Sequence, residues 1–383
     1  MENSSAVSEA LNPLVSDEER RKSEPAQDTL GLCLSGGGYR AMLFHAGALW
    51  RLHQLGLLPK LDRISCVSGG AITGGLLGVK WRNIAGAGTT EQVFVDEIVT
   101  PLRRLANVTV DTWSVAKGVL LPGPVSDYVA RTLAEHLFGD ATLQDFPDDP
   151  PRIIINAINV QSGSLWRFSK PYMRDYQVGQ VLRPALPLAE VVAASSAFPP
   201  FLSPAVLNLD EGSFAPSEGE PLHHPPYTTR VVLSDGGVYD NLGLETVWKR
   251  CKTILVSDAG RKMPSEEAPQ LDWVQHTKRI LDLVDNQVRS LRKRQLFAAN
   301  DAGIRKVAYW GIRSEMAKYP VESALPCPLE QTTELAEIPT RLAALSPELQ
   351  ERLINWGYAI CDVALRAWHD RGLPAAQAFP YQH

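Results

Sequence analysis

No run of about 18 apolar residues occurs anywhere in this 383-residue chain, so the sequence has no segment long enough to cross a bilayer as a helix. Cysteine is scarce as well. Cys33, Cys66, Cys251, Cys327 and Cys361 are widely spaced and odd in number, and no CxxC pair occurs. That argues against a disulfide framework and a zinc site, and for reduced thiols in a cytoplasmic compartment. Neither sign of charge dominates. The 38 Lys+Arg against 43 Asp+Glu leave a net charge of -5, so no nucleic-acid partner is expected. Residues 1–28 are polar, rich in Ser and Glu, and lack the apolar core of a secretory signal; they read as a mobile arm. The last absence concerns histidine. None of His45, His53, His136, His223, His224, His276, His369 and His383 stands at a strand end or a glycine turn, so a Ser-His-Asp triad has no base.

What is present is a repeated pattern of strand, glycine turn and helix. "TLGLCLS" (29–35) is an apolar run suited to a buried parallel strand. "YRAMLFHAGALWRLHQLG" (39–56) has helical spacing and ends at Gly56. "LDRISCVS" (61–68) and "GGAITGGLLGVKW" repeat the pattern, and "TTRVVLSDGGVYDNLGLETVW" and "KTILVSDAG" repeat its strand again. This predicts an α/β fold with a mainly parallel sheet between layers of helices. "RIIINAINVQSGSLWRFS" (152–169) reads as a hairpin, and 211–227 as an exposed loop. Two helices follow, over 271–300 and 346–369, the second with Ser346 as N-cap and Pro347 at N1.

Gly36, Gly37 and Gly38 end the first strand, and three things could demand such a bare backbone: a phosphate, an oxyanion or close packing. Residues 36–41 do match the dinucleotide fingerprint G-x-G-x-x-A. The second strand, however, ends at Ser68, where that fingerprint wants an acid for the ribose. Close packing is the plainer reading, and the second turn, "CVSGGA", argues against it. There Ser68 stands between strand and helix ahead of Gly69 and Gly70, close to the G-x-S-x-G elbow that lifts a nucleophilic hydroxyl clear of a sheet. Cys66 replaces the elbow's first glycine. The first turn would then offer helix-terminal N–H groups to the oxyanion formed when Ser68 attacks, with Arg40 beside them. For the base, Asp235 ends an apolar strand before Gly236 and Gly237, and a carboxylate there could take the serine proton directly. Asp258 in "LVSDAGR" has the same context, and Asp240 reads better as a helix cap.

"SGGGYRA", "CVSGGA" and "SDGG", in that order, resemble the patatin-like phospholipase family, and "ASSAFPPFLSP" and "DGGVYDNLGLE" resemble its second catalytic motif in bacterial members. The resemblance covers about Thr29 to Asp258. It implies a three-layer α/β/α fold, a Ser-Asp dyad acting through an acyl-enzyme, hydrolysis of acyl esters in lipids, and neither metal nor organic cofactor. It carries the nucleophile to Ser68, the base to Asp235 rather than Asp258, and the oxyanion hole to Gly36, Gly37 and Gly38 with Arg40. Ala41 and Cys66 stand where the motifs often have glycine. A catalytic domain over 29–310 and a helical extension over 311–383 packed on it complete this reading. The alternatives are an acyltransferase or broad carboxylesterase with the same dyad, or a non-catalytic protein that keeps the fold.

A phospholipid or other acyl-lipid substrate implies peripheral contact with a membrane. The helix within 277–299 carries Lys278, Arg279, Arg289, Arg292, Lys293 and Arg294, with Ile280, Val284, Val288 and Leu291 on another face. Such a helix can lie on anionic lipid. The favoured expectation is the ordinary one, an apolar face packed on the sheet and a basic face in water. Trp113 and "VLLPGPV" (119–125) form a second candidate contact.

Overall fold

The apolar runs that read as strands are buried on both sides, which is why they lack polar alternation. β1 (Gln27–Leu34) and β2 (Leu61–Cys66) lie side by side in parallel, with Leu34 opposite Cys66. β1 begins at Gln27 rather than Thr29, because the Gln27 N–H bonds the Arg250 carbonyl and extends the pairing. Between them runs α1 (Gly38–Gln54), buried from Gly38 to Leu52, and after β2 comes α2 (Gly69–Val79). The computed structural model describes residues 26–86, 88–110, 124–200, 202–216, 219–261, 263 and 265–382. Residues 1–25, and Trp113 with 119–123, therefore lie outside the described residues.

Beyond α3 (Val125–Leu133), β3 (Arg152–Asn159) pairs in parallel with β2. β4 (Ser164–Phe168), β5 (Tyr172–Asp175) and β6 (Gly179–Leu182) continue from it as an antiparallel meander. Then follow α4 (Leu188–Ser195), β7 (Ala205–Asn208), β8 (Arg230–Asp235), α5 (Gly237–Asp240) and α6 (Leu244–Trp248). β9 (Cys251–Asp258) adds in parallel to β1, and β10 (Lys306–Gly311) adds in parallel to β9 after the long α7 (Trp273–Asp301). α8 (Leu329–Glu337) and α9 (Pro347–Ala364) close the chain. The strand order is β10-β9-β1-β2-β3-β4-β5-β6, with β7 and β8 attached at β3. This is an α/β fold with a mostly parallel central sheet flanked by helices.

α9 has the N-cap read from sequence, with Ser346 Oγ accepting the Leu349 N–H. It packs along α1, and the two are joined by a buried cluster in which Arg51 and Arg366 both donate to Asp362, Arg51 Nε at 2.8 Å and Arg366 Nη2 at 2.7 Å. The 211–227 segment is anchored by Phe214, which bridges to Val181 and is buried.

Two expectations are corrected. β8 does not join the sheet in parallel; it pairs antiparallel with β3 and β7. And α7 is turned the other way round. Arg289 is buried and Lys293 and Arg292 are paired with Asp258 and Glu245, while Lys278 and Arg294 stay exposed and Ile280, Val284 and Leu291 face out. Asp258 at the end of β9 and Glu245 on α6 draw this cationic side down, and only the last turns, through Leu296 and Ala299, pack on apolar core.

Candidate active site

β2 and β8 meet head to head along one edge of β3. β2 runs parallel and ends with Cys66 opposite Ile155, while β8 runs antiparallel and ends with Asp235 opposite Ala157. Asn156 lies between these two positions. Its side-chain amide donates to Cys66 O at 3.0 Å and to Ser65 Oγ at 2.9 Å, fixing the end of β2. The residues that follow each strand, Ser68 and the Asp235 carboxylate, are therefore brought to one point.

Ser68 has φ 51° and ψ −119°, a conformation that non-glycine residues rarely adopt, and it stands at the N-cap of α2. Its N–H donates to Ser195 Oγ at 3.0 Å, and Ser195 in turn donates to the Asn156 carbonyl at 2.7 Å. Gly69 and Gly70 let α2 begin directly against the first turn and the end of β1; a side chain on Gly69 would overlap the Gly38 carbonyl. Cys66, in place of the elbow glycine, fits because Gly74, two turns into α2, leaves room for its sulfur.

Asp235 is buried and its hydrogen bonds are fixed. Its N–H donates to Ala197 O at 2.9 Å, and its Oδ1 accepts the Gly237 N–H at 2.6 Å. Burial pushes its carboxyl up to about 7, against the pull of the Gly237 N–H and the hydrogen bond from the Ser68 hydroxyl. The like charge of Asp285 on α7 adds a smaller push in the same direction. Gly236 passes so close to Asn156 that a side chain there would overlap the Asn156 carbonyl.

The first turn lies against Ser68, and a Cβ on Gly36 would stand 3.2 Å from Ser68 Cβ. Its N–H groups are not equivalent. That of Gly36 donates to Asn241 O at 3.1 Å, and that of Tyr39 donates to Arg341 O at 3.0 Å. Among the described residues no acceptor is bonded to the N–H of Gly37 or Gly38. Both glycines have positive φ, 142° and 61°, which a side chain would oppose. Two main-chain donors at a helix N-terminus thus stand open beside the serine.

Arg40 lies beside the turn, its Nη2 3.1 Å from where a Cβ on Gly37 would stand, but its hydrogen bonds are spent elsewhere. Its guanidinium lies under the turn and donates to the carbonyls of Ala259 and Ile338 and to Thr340 Oγ1, joining the turn to the chain ahead of α9. The other carboxylates are separately occupied. Asp258 accepts from Tyr309 OH at 2.7 Å and Gly260 N at 2.8 Å and faces Lys293 Nζ at 3.6 Å. Asp240 caps α6 through the Glu245 N–H at 2.8 Å, as read from sequence. His45 bridges Ser257 Oγ and Ser35 O, and burial lowers its pKa to about 4, which makes it a neutral structural residue.

Two members of the site escape sequence reasoning. Ser195 and Asn241 act through a hydroxyl on a main-chain N–H and through a carbonyl on Gly36, and neither stands in a strand-end pattern. The signal available for Asn241 was its place in "VYDNLG", directly after the candidate base.

A family model described as patatin-like phospholipase matches residues 32–248. Comparison with curated protein sequences gives no match. Among solved structures, human GIVD cytosolic phospholipase A2 superposes with a TM-score of 0.52 at 15% identity, covering 95% of this chain and 65% of that one. The same human enzyme in complex with the inhibitor methyl gamma-linolenyl fluorophosphonate and terbium chloride gives 0.50 at 17% identity, over 94% and 61%. This chain thus spans just under two thirds of that enzyme's length, and at such identities the likeness is one of fold.

Proposed function

Because the chain belongs to the patatin-like phospholipase family, we propose that it hydrolyses the carboxylic esters of acyl lipids, phospholipids among them, with Ser68 as nucleophile and Asp235 as general base. The observation that carries this reading is the head-to-head meeting of β2 and β8, which gives a strained serine a buried carboxylate as hydrogen-bond partner. Asp235 takes the Ser68 proton as Oγ attacks the ester carbonyl. The oxyanion is held by the N–H groups of Gly37 and Gly38; the Gly36 N–H, bonded to Asn241, supports the turn instead. Asp235 then gives its proton to the departing alcohol, leaving an acyl-enzyme. A water then loses a proton to Asp235 as it attacks the acyl carbon, and Asp235 returns that proton to Ser68 Oγ as the fatty acid leaves. Gly237 holds the carboxylate through its N–H, Gly236 lets the chain pass the Asn156 carbonyl, and Gly69 and Gly70 keep the two turns in contact.

The competing base, Asp258, is disfavoured by its bonds to Tyr309 and Gly260 and its pairing with Lys293. Five free cysteines fit a cytoplasmic enzyme, and a lipid substrate requires peripheral contact with a membrane. The test is release of free fatty acid from mixed phospholipid vesicles, followed by mass spectrometry, for wild type, Ser68→Ala and Asp235→Ala. Each substitution is expected to lower the rate by about a thousandfold or more. A Ser68→Ala protein as active as wild type would sink the reading.

A further inference from the structure

α7 is an amphipathic helix with its apolar side outward. The polar side is tied down along its length: Arg279 lies 3.4 Å from Glu266, Arg292 3.1 Å from Glu245 and Lys293 3.6 Å from Asp258, and Lys278 is paired with Asp282 at 3.2 Å. On the opposite side Trp273, Ile280, Val284 and Leu291 recur at i, i+7, i+11 and i+18, a single line along the helix, and are 80%, 44%, 55% and 57% exposed. Leu281 and Leu283, also exposed, widen this line to an arc of about 160° at 100° per residue. An apolar surface of this extent on a helix marks a contact with something else.

Its position narrows the choice. α5, which directly follows Asp235, packs against α7, and Asp285 on the inner edge of α7 is close enough for its charge to act on Asp235. The inner side of α7 thus borders the reactive pair, and the apolar arc is the outer side of that same helix. A second copy of the chain joined through a coiled coil fits less well. That pairing uses a narrow apolar seam with flanking charges free to pair across it, whereas here the arc is broad and Lys278, Arg279 and Arg292 are already paired within the chain.

We propose that the outer face of α7 docks on a lipid surface by apolar insertion, so that lipid enters the site beside Ser68 and Asp235. The choice of lipid as partner rests on the acyl-lipid reading of that site. Lys278, Arg279, Arg292 and Lys293 are ion-paired and Arg289 is buried, which leaves Arg294, exposed within the arc, as the one cation of these six facing the lipid, so docking depends chiefly on the apolar arc rather than on anionic headgroups.

The experiment is flotation of the full chain with phosphatidylcholine vesicles, carried out in the Ser68→Ala background so that the lipid stays intact. The parent is expected to float, with a partition coefficient steady within about twofold from about 0.05 to about 0.5 M salt. Changing Trp273, Ile280, Val284 and Leu291 together to Gln is expected to lower partition by about a hundredfold. These side chains are exposed, so circular dichroism and the melting midpoint are expected to stay put; the single change Val284→Gln, expected to lower partition by about threefold, serves if they do not. A parent that does not float, a fourfold variant that floats like its parent, or binding that disappears at high salt overturns the proposal. So does a parent that is dimeric while the fourfold variant is monomeric and floats undiminished. Flotation needs no turnover. A floating parent alongside a wild type that releases no fatty acid would overturn the hydrolase reading and leave this surface standing.

Discussion

Ser195 accepts the main-chain N–H of Ser68 at 3.0 Å and donates its own proton to the Asn156 carbonyl at 2.7 Å. It stands under the one residue of the site whose backbone has a strained positive φ, a strain of about 1–3 kcal/mol that persists only when neighbours impose it. Ser195→Ala removes that support without touching the reacting atoms. Its expected effect is a fall in kcat of about 10- to 100-fold with KM changed less than about threefold, read in steady-state hydrolysis of a soluble ester. A kcat equal to wild type would mean that packing alone holds the elbow.

The pH dependence follows from Asp235. Burial raises its carboxyl to about 7, and only the ionised form takes the serine proton. Activity is therefore expected to rise with pH, reach half its plateau near pH 7, and fall about tenfold per unit below that. Stability runs the opposite way. The folded chain holds this proton more tightly than the unfolded chain, whose carboxyl titrates near 3.8, so wild type loses stability as pH rises from 3.8 to about 7. Asp235→Asn lacks that loss. Its melting midpoint should gain on wild type across the same window, and a difference that stays flat with pH would contradict the assignment.

Asp258 is the control for that claim. Burial alone would raise its carboxyl, but Arg289, Lys293, Tyr309 and the Gly260 N–H together outweigh it and hold the group below the usual carboxylate range. Asp258→Asn leaves Lys293 and Arg289 without this counter-ion and is expected to destabilise the fold by about 2–4 kcal/mol. In the protein that does fold, the midpoint of the pH–rate profile is expected to stay where it was. A midpoint that moves with Asp258 and not with Asp235 would reverse the roles of the two carboxylates.

What the sequence made legible is what local physics decides. The apolar run into Gly36, the elbow at Ser68 and the Ser346–Pro347 start of α9 are each set by neighbours within a few positions. Strand direction is not set locally, and "VVLSDGG" reads the same whether β8 enters parallel or antiparallel. The place of Arg40 beside the turn is legible, but its hydrogen-bond partners are not, since they are 219 and 298 residues away. Ser195 and Asn241 were missed because a hydroxyl or a carbonyl that bonds one N–H leaves no pattern. Periodicity gave α7 its two faces but not their direction, since that depends on where Asp258 on β9 and Glu245 on α6 lie in the folded chain.

Cys66 gives the last test, because its fit depends on one distant absence. A Cβ on Gly74 would overlap the Cys66 sulfur and stand 3.2 Å from its Cβ. Both residues sit in the packed layer between β2 and α2, where extra volume has nowhere to go. Gly74→Ala is therefore expected to destabilise by about 1–3 kcal/mol despite the better helix propensity of alanine, and to lower activity by tilting α2 under Ser68. In a Cys66→Ala background the sulfur is gone and only the tighter Cβ contact remains, so most of that penalty should disappear. The measurement is a double-mutant cycle by chemical denaturation, with a coupling of about 1 kcal/mol or more expected. Additive effects would mean that the elbow tolerates cysteine for a reason other than the space left at Gly74.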